Sequence, residues 1–137
     1  MALIHLDAGV IIGFLDADDV HHFTARKALA DALGAGDQLA LAASALSECL
    51  VGPSRISTQA VQLVRTVIDR LPVSVIDLNA DIASNAALLR ARHRSLRLPD
   101  ALVIATASVC GADRLVTTDR KWPSAKAMKL SVRIERI

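Results

Sequence analysis

Short apolar runs alternate with longer segments of helical periodicity along the whole chain. The runs "ALIHL" (2–6), "QLALAA" (38–43) and "VSVI" (73–76) have the length and composition of buried strands. Two more strands are predicted at "RLVTT" (114–118) and "LSVRI" (130–134). The segments between them repeat apolar residues every three or four positions, which is typical of amphipathic helices. This alternation predicts an α/β domain with a central, mainly parallel sheet of about five strands flanked by helices.

Capping and breaking residues indicate where several helices begin and end. Pro99 suits the first position of a helix, so Asp100 is expected in its first turn. Ser44 is predicted to cap a short helix over 44–51 that Gly52 and Pro53 terminate. The remaining helices are expected within residues 9–19, 21–36, 55–70 and 79–95.

Composition narrows the class of protein. A chain of 137 residues fits one domain over 1–137, and 53% hydrophobic residues with a mean hydropathy of +0.40 exclude a disordered chain. No apolar run reaches the ~18 residues that a membrane span needs, and no basic segment precedes the first apolar stretch. Cys49 and Cys110 lie in apolar helical patterns and are expected to be small buried residues in a reducing compartment. We therefore expect a cytoplasmic protein with no membrane partner.

Charge is distributed unevenly, although the net charge is only +2. Residues 1–50 contain seven acidic and two basic residues, which gives −5; residues 90–137 contain eleven basic and four acidic residues, which gives +7. Such asymmetry is consistent with a polyanionic partner, although solvated helix faces also carry many basic residues.

Four acidic residues from four separate segments are expected near one edge of the sheet. Asp7 follows the first strand and Asp119 follows the fourth. Glu48 lies in about the first turn of the helix after the second strand, and Asp100 lies in the first turn of the Pro99 helix. Each acid alone is explained by a turn or a helix dipole. Open α/β sheets bind ligands at this edge. Four carboxylates gathered there would repel one another unless a cation lay among them.

Carboxylates select hard cations, so the expected ion is Mg²⁺, with Mn²⁺ as a possible substitute. The four histidines do not pair with the two cysteines at the spacing of a zinc site. The six glycines form neither a P-loop nor a dinucleotide-binding turn. The acids are therefore the strongest candidate chemistry in the chain.

Four motifs together resemble a known family. They are "LDAGVIIGFL", "SALSE", "LPDALVIATA" and "LVTTDRKW", and they occur in order from Asp7 to beyond Trp122. This set resembles the PIN-domain ribonucleases, especially the VapC toxins of bacterial toxin–antitoxin pairs. The chain departs from the family at Ala8-Gly9, where a Ser or Thr commonly follows the first Asp, and at Trp122, where Phe is more usual.

The resemblance implies a Mg²⁺-dependent endoribonuclease whose catalytic acids are Asp7, Glu48, Asp100 and Asp119. Asp7 and Asp100 are expected to be the central metal ligands, with Glu48 and Asp119 as supporting ligands or water-orienting groups. Thr117 matches the hydroxyl-bearing partner of the last acid. The resemblance also implies a homodimer inhibited by a cognate VapB-like antitoxin.

An RNA substrate would need positive charges around these acids. Candidates are the cluster "RARHRSLR" (90–97), which precedes Asp100, and the two basic residues that follow Asp119. The predicted RNA-binding residues are Arg92, Arg94, Arg97, Arg120 and Lys121.

Two other classes of function remain open from the sequence. A phosphatase or a phosphoryl-accepting receiver also clusters acids at strand ends, but Gly9 stands where a haloacid-type phosphatase has its second Asp. The alternative is a non-catalytic PIN-like module that binds nucleic acid or protein. Cleavage of RNA with and without Mg²⁺ separates both alternatives from a nuclease.

Overall fold

A computed structural model describes residues Met1–Ile137. Its five strands are β1 (Leu3–Leu6), β2 (Gln38–Ala42), β3 (Val73–Ile76), β4 (Arg114–Thr117) and β5 (Arg133–Arg136). Its six helices are α1 (Ala8–Leu15), α2 (His22–Gly34), α3 (Ala43–Ser54), α4 (Thr58–Arg70), α5 (Ala80–Arg92) and α6 (Leu98–Val109). The strands form one sheet in the order β3-β2-β1-β4-β5, and every neighbouring pair is parallel. The predicted α/β class is confirmed.

The central strands are covered on both faces, as the strands of parallel sheets usually are. Nearly every residue of β1, β2 and β4 is buried, whereas the edge strands β3 and β5 are only partly covered. The core is built from Ala, Leu, Val and Ile side chains, and Trp122 is the only buried aromatic residue. No helix is both long enough and apolar enough to span a membrane.

The strand order places a specific crevice in the middle of the sheet. The chain passes outward from β1 to β2 and β3, and then returns to the opposite side of β1 to form β4 and β5. The order therefore reverses between β1 and β4. In open α/β sheets, the crevice beyond the carboxyl ends of the strands at such a reversal is where ligands bind.

The prediction for α3 was wrong at both ends. Strand β2 continues directly into this helix, so Ala42 occupies the cap position without a side-chain cap, and Ser44 lies inside the helix. The helix also continues through Gly52 and Pro53 to Ser54. Pro53 lies in the last turn, so its missing N–H removes one helical hydrogen bond, and only Ser54 follows it in the helix.

Other boundaries also differ from the sequence prediction; the helix expected within 9–19, for example, spans Ala8–Leu15. The helix expected over 55–70 begins at Thr58, because the Ser57 hydroxyl accepts a hydrogen bond from the Ala60 N–H (3.0 Å) and caps it there. The helix expected over 79–95 ends at Arg92. The last strand begins three residues later and ends two residues later than expected. Its position follows from pairing with β4, which no local pattern specifies.

Cys49 is buried, as predicted, whereas Cys110 is only half-buried at the end of α6. Both thiols are free. Burial raises the pKa of Cys49 to about 12, so this thiol stays protonated and packs as a small apolar group.

Candidate active site

Asp7 and Thr117 form the floor of the crevice between β1 and β4. Asp7 caps α1, and its Oδ1 accepts a hydrogen bond from the Ala8 N–H (2.8 Å). Its Oδ2 accepts a second one from the Thr117 hydroxyl (2.7 Å). Thr117 is completely buried and Asp7 is 8% exposed. These two bonds fix the Asp7 carboxylate at the carboxyl end of the sheet.

Asp119 is attached to the same network through its backbone. Its N–H donates to the Thr117 Oγ1 (3.0 Å), so Thr117 is an acceptor on one side and a donor to Asp7 on the other. The Asp119 Oδ1 accepts a hydrogen bond from the Lys121 N–H (2.6 Å), which closes a tight turn. The residues following β4 are therefore held beside the residue following β1.

Asp100 and Glu48 reach the crevice from two helices. Asp100 lies in the first turn of α6, as predicted, and is half-buried. Glu48 is exposed and lies in the second turn of α3, one turn later than expected. The two helices pack against each other, which brings their acids to the same side of the sheet as Asp7.

The charges of these acids influence one another. Burial raises the pKa of Asp7; the hydrogen bonds from Thr117 and Ala8 oppose this shift, and the charges of Asp100 and Asp119 add to it. Each of these effects is consistent with several carboxylates gathered in a partly desolvated crevice.

The pKa values of Asp100 and Glu48 are also raised, in both cases mainly by burial. The charge of Asp119 contributes to the shift at Asp100, and the charges of Asp7 and Asp100 contribute to the shift at Glu48. Arg97 acts in the opposite direction and lowers the pKa of both groups. The four predicted acids are therefore electrostatically coupled to one another.

None of the four acids forms an ion pair, since the three salt bridges in the structure lie elsewhere. No three acidic, histidine or cysteine side chains lie close enough together to ligate one ion. Mg²⁺ usually keeps several of its waters and takes one or two protein carboxylates. This set of unpaired carboxylate oxygens fits such a hydrated ion.

The predicted RNA-binding residues differ in how they are placed relative to the acids. Arg97, at the start of α6, is close enough to influence Asp100 and Glu48. Arg92 lines a separate cavity between α5, α6 and residues 127–130, which none of the four acids lines. The other three basic residues are exposed and form no ion pair: Arg94, Arg120 and Lys121.

The packing of Thr118 bears on the small residue at position 9. A Cβ added at Gly9 would overlap the Thr118 hydroxyl, which packs against the first turn of α1. A side chain at position 9 would therefore require the Thr118 side chain to move. Thr118, the residue before Asp119, thus places a hydroxyl beside Gly9.

The matching family profile supports what the geometry indicates. The PIN domain profile matches residues 4–127, which include every residue of the crevice described above. The chain belongs to the PIN domain family. No curated protein sequence matches it significantly.

Solved structures with this PIN fold include toxin–antitoxin complexes and a VapC toxin. VapBC2 from Rickettsia felis, bound to a fragment of promoter DNA, matches with a TM-score of 0.72 at 16% identity over 98% of each chain. VapC20 from Mycobacterium tuberculosis, described as a toxin that cleaves the sarcin–ricin loop, matches with a TM-score of 0.66 at 19% identity over 82% of this chain and 86% of that one. A toxin–antitoxin complex from Klebsiella pneumoniae matches with a TM-score of 0.65 at 25% identity over 93% and 94%. The predicted resemblance to VapC toxins is thus confirmed at the level of the fold.

The sequence did not assign Trp122 or Thr118 a place in this PIN domain site. In the structure the Trp122 side chain is buried in the core, and its indole N–H has no hydrogen-bond partner. The sequence signal was an indole N–H three residues after the last acid, where the more usual Phe has no donor.

Proposed function

We propose that this PIN domain is a Mg²⁺-dependent endoribonuclease that acts as the toxin of a toxin–antitoxin pair. The observation that carries the proposal is the set of coupled carboxylates, without basic ion-pair partners, at the reversal of strand order. The similarity to VapC20, described as a toxin that cleaves RNA, supports a nuclease of this type.

The acids would hold a hydrated ion partly by direct contact and partly through its waters, because no three of them lie close enough together to ligate it. We assign Asp7 and Asp100 as central ligands, and Glu48 and Asp119 as supporting ligands or water-orienting groups. Bound Mg²⁺ supplies an activated water nucleophile and offsets the negative charge of the scissile phosphate; Mn²⁺ is a possible substitute.

The protein's own contribution is the preset position of these groups. Thr117 and the Ala8 N–H occupy one lone pair on each oxygen of Asp7 and leave the remaining lone pairs for an ion. The turn at Asp119 is bonded to the same hydroxyl. Asp7 and the Asp119 turn therefore do not need to be ordered when RNA binds. Arg97, beside two of the acids, is the basic residue best placed to contact the RNA phosphate.

The partners follow from the same proposal. The matched structures include VapBC complexes from Rickettsia felis and Salmonella typhimurium, which supports a VapB-like antitoxin as the partner of this chain. We further propose a homodimer that acts in the cytoplasm, where its RNA substrate is present.

Cleavage of RNA by the purified protein tests the proposed function. Wild type is expected to cut RNA internally in millimolar Mg²⁺ and to be inactive in chelator, and Asp119→Asn is expected to be inactive in both. A generic phosphate ester in parallel reactions tests for a phosphatase. Binding of RNA with no cleavage in Mg²⁺ or Mn²⁺ would contradict the proposal and favour the non-catalytic module.

A further inference from the structure

A second cavity lies between α5, α6 and residues 127–130, and none of the four acids of the candidate site lines it. Its volume is about 280 Å³, close to the lower end of the range for small-molecule pockets. Six of its eleven lining residues are apolar, among them Leu89, Ala105 and Met128. Pockets for small molecules typically combine such walls with a few polar groups that fix orientation. The polar groups of this cavity therefore indicate which ligand it would take.

The charged side chains that line this cavity are all basic. Arg92 and His93 come from the end of α5, and Lys129 comes from the segment before β5. No acidic residue lines the cavity, and none of these three side chains forms an ion pair. The dipole of α5 favours bases at its end, but it does not account for Lys129, which belongs to another segment. The cavity therefore presents positive charge that no acidic side chain compensates.

The backbone at Lys129 has an unusual conformation. Lys129 has a φ of 54° and is the only non-glycine residue with a positive φ. It ends a helical turn in which the Lys129 N–H donates to the Lys126 carbonyl (3.1 Å) and the Leu130 N–H donates to the Ala125 carbonyl (2.9 Å). Glycine is the usual residue at the left-handed position of such a turn. A lysine there strains the backbone, and what it adds is a positive charge in the cavity wall.

We propose that this cavity binds a small phosphate monoester with an apolar body. Arg92 and Lys129 provide two positive charges, which match the charge of about −1.5 to −2 on a phosphate monoester near pH 7. The Arg92 guanidinium can donate two hydrogen bonds to phosphate oxygens, and the His93 imidazole has a ring N–H in either charge state. An internal phosphate of RNA carries a single charge and matches this pair less well. The cavity is separate from the proposed nuclease site, and its ligand does not depend on nuclease activity.

The position of Met128 makes binding directly observable. Met1 and Met128 are the only methionines; Met1 is 90% exposed, whereas Met128 is 6% exposed and lines the cavity. In ¹³C-methyl-methionine protein kept in chelator, which removes cations that would draw phosphate to the four acids, phenyl phosphate is expected to shift the Met128 methyl resonance saturably. The Met1 resonance is expected to stay unchanged. No shift at Met128 would overturn the proposal.

Three further probes separate the phosphate group from the apolar body. Inorganic phosphate lacks the apolar body, benzoate carries one negative charge, and benzyl alcohol carries none. Each is expected to bind about 10-fold more weakly than phenyl phosphate, or weaker still, because each lacks one of the two features that the cavity matches. Equal affinity for any of the three would overturn the proposal, since it would show that one of these features does not contribute.

Substitutions test which side chains hold the phosphate. Arg92→Gln and Lys129→Gln each remove one charge and are expected to weaken phenyl phosphate binding about 10-fold, a typical contribution of a hydrogen bond to a charged group. Arg90→Gln is the matched control, because Arg90 lies in the same last turn of α5 but does not line the cavity. It is expected to bind phenyl phosphate like wild type. Equal affinity in all three variants would overturn the proposal.

Lys129→Gly separates the loss of charge from a failure to fold. Glycine favours the left-handed φ of this position, so this variant is expected to melt at or above the temperature of wild type and to bind phenyl phosphate about 10-fold more weakly. Unchanged phenyl phosphate affinity in the folded Lys129→Gly protein would overturn the proposal. Loss of RNA affinity in Arg92→Gln, with no binding of phenyl phosphate to wild type, would overturn it as well and assign the cavity to the RNA.

Discussion

The two ends of the parallel sheet use the same residue types in opposite ways. At the amino ends of the strands, Arg114 pairs with Asp37 (3.3 Å) and with Glu135 (2.9 Å). Asp113 accepts a hydrogen bond from the Leu3 N–H (2.8 Å). Asp37 and Glu135 therefore have a basic partner that compensates their charge, whereas Asp113 is held by a backbone donor.

The acids at the carboxyl ends have no such compensation. Asp7, Glu48 and Asp100 each have a raised pKa, and none of them is paired with a basic side chain. Perturbed and uncompensated charges of this kind are typical of functional sites. The comparison shows that what distinguishes a site from a surface is the missing partner, and not the number of acids.

The largest expected effect is the loss of activity when an acid at the carboxyl end is neutralised, compared with an acid at the amino end. Asp100→Asn is expected to reduce RNA cleavage by about 100-fold or more, since it removes a charged ligand from the centre of the reaction. Expression of wild type without an antitoxin should arrest growth, and Asp100→Asn should relieve the arrest. Asp113→Asn is the matched control and should remain toxic. Equal toxicity from a folded Asp100→Asn protein would show that the carboxyl-end acids are not the site.

Removing the basic partner at the amino end should have the opposite consequences. Arg114→Met leaves Asp37 and Glu135 without a counter-charge, and it is expected to lower the free energy of unfolding by about 2 kcal/mol. The value lies below that of a fully buried pair, because the Arg114 side chain is 26% exposed and partly screened. Urea denaturation measures the loss, and cleavage by the folded protein should be unchanged. A loss of cleavage at unchanged stability would contradict this division of roles.

Asp7→Asn tests whether the carboxyl-end charges repel one another. It should stabilise the metal-free protein at pH 7 by about 1 kcal/mol, a typical size for a single substitution, because Asn still caps α1. The raised pKa of Asp7 means that ionisation destabilises the fold, so the advantage of Asn should shrink as the pH falls and the wild-type acids become protonated.

Mg²⁺ should reverse the order of stability of wild type and Asp7→Asn. An ion that binds only the native cluster stabilises wild type more than Asp7→Asn. Melting curves in chelator and in millimolar Mg²⁺ should therefore cross. If Asp7→Asn is less stable in chelator and Mg²⁺ moves neither melting temperature, the acids do not share a site.

The smallest expected effect concerns the basic residues that would hold RNA. Each lost phosphate contact should reduce the slope of log affinity against log salt by about 0.7 for a single strand. Arg97→Gln is expected to show this change in an Asp100→Asn background, whereas Arg92→Gln is not, because Arg92 lines a different cavity. Equal salt slopes for Arg97→Gln and Arg92→Gln would contradict the prediction that only Arg97 contacts the RNA. Sedimentation of both variants controls for a change in oligomeric state.

The fold was predictable to the extent that it depends on local patterns. The strand "VSVI" and the first turn of α6 at Asp100 were predicted correctly, because a short apolar run and a proline each restrict the backbone locally. The last strand was misplaced, since its residues are fixed by pairing with β4. Ser44 was wrongly assigned as a cap, since β2 leads straight into α3 and leaves no room for one.

The sequence by itself determined which acids follow strands or begin helices, and it identified the four carboxylates and Thr117 as candidates. Only the tertiary structure decided which of them meet. The bond between Thr117 and Asp7 joins residues 110 positions apart, and it exists because β4 returns to lie beside β1. Parallel pairing and helix packing are set by burial across the whole chain, so no local pattern specifies them.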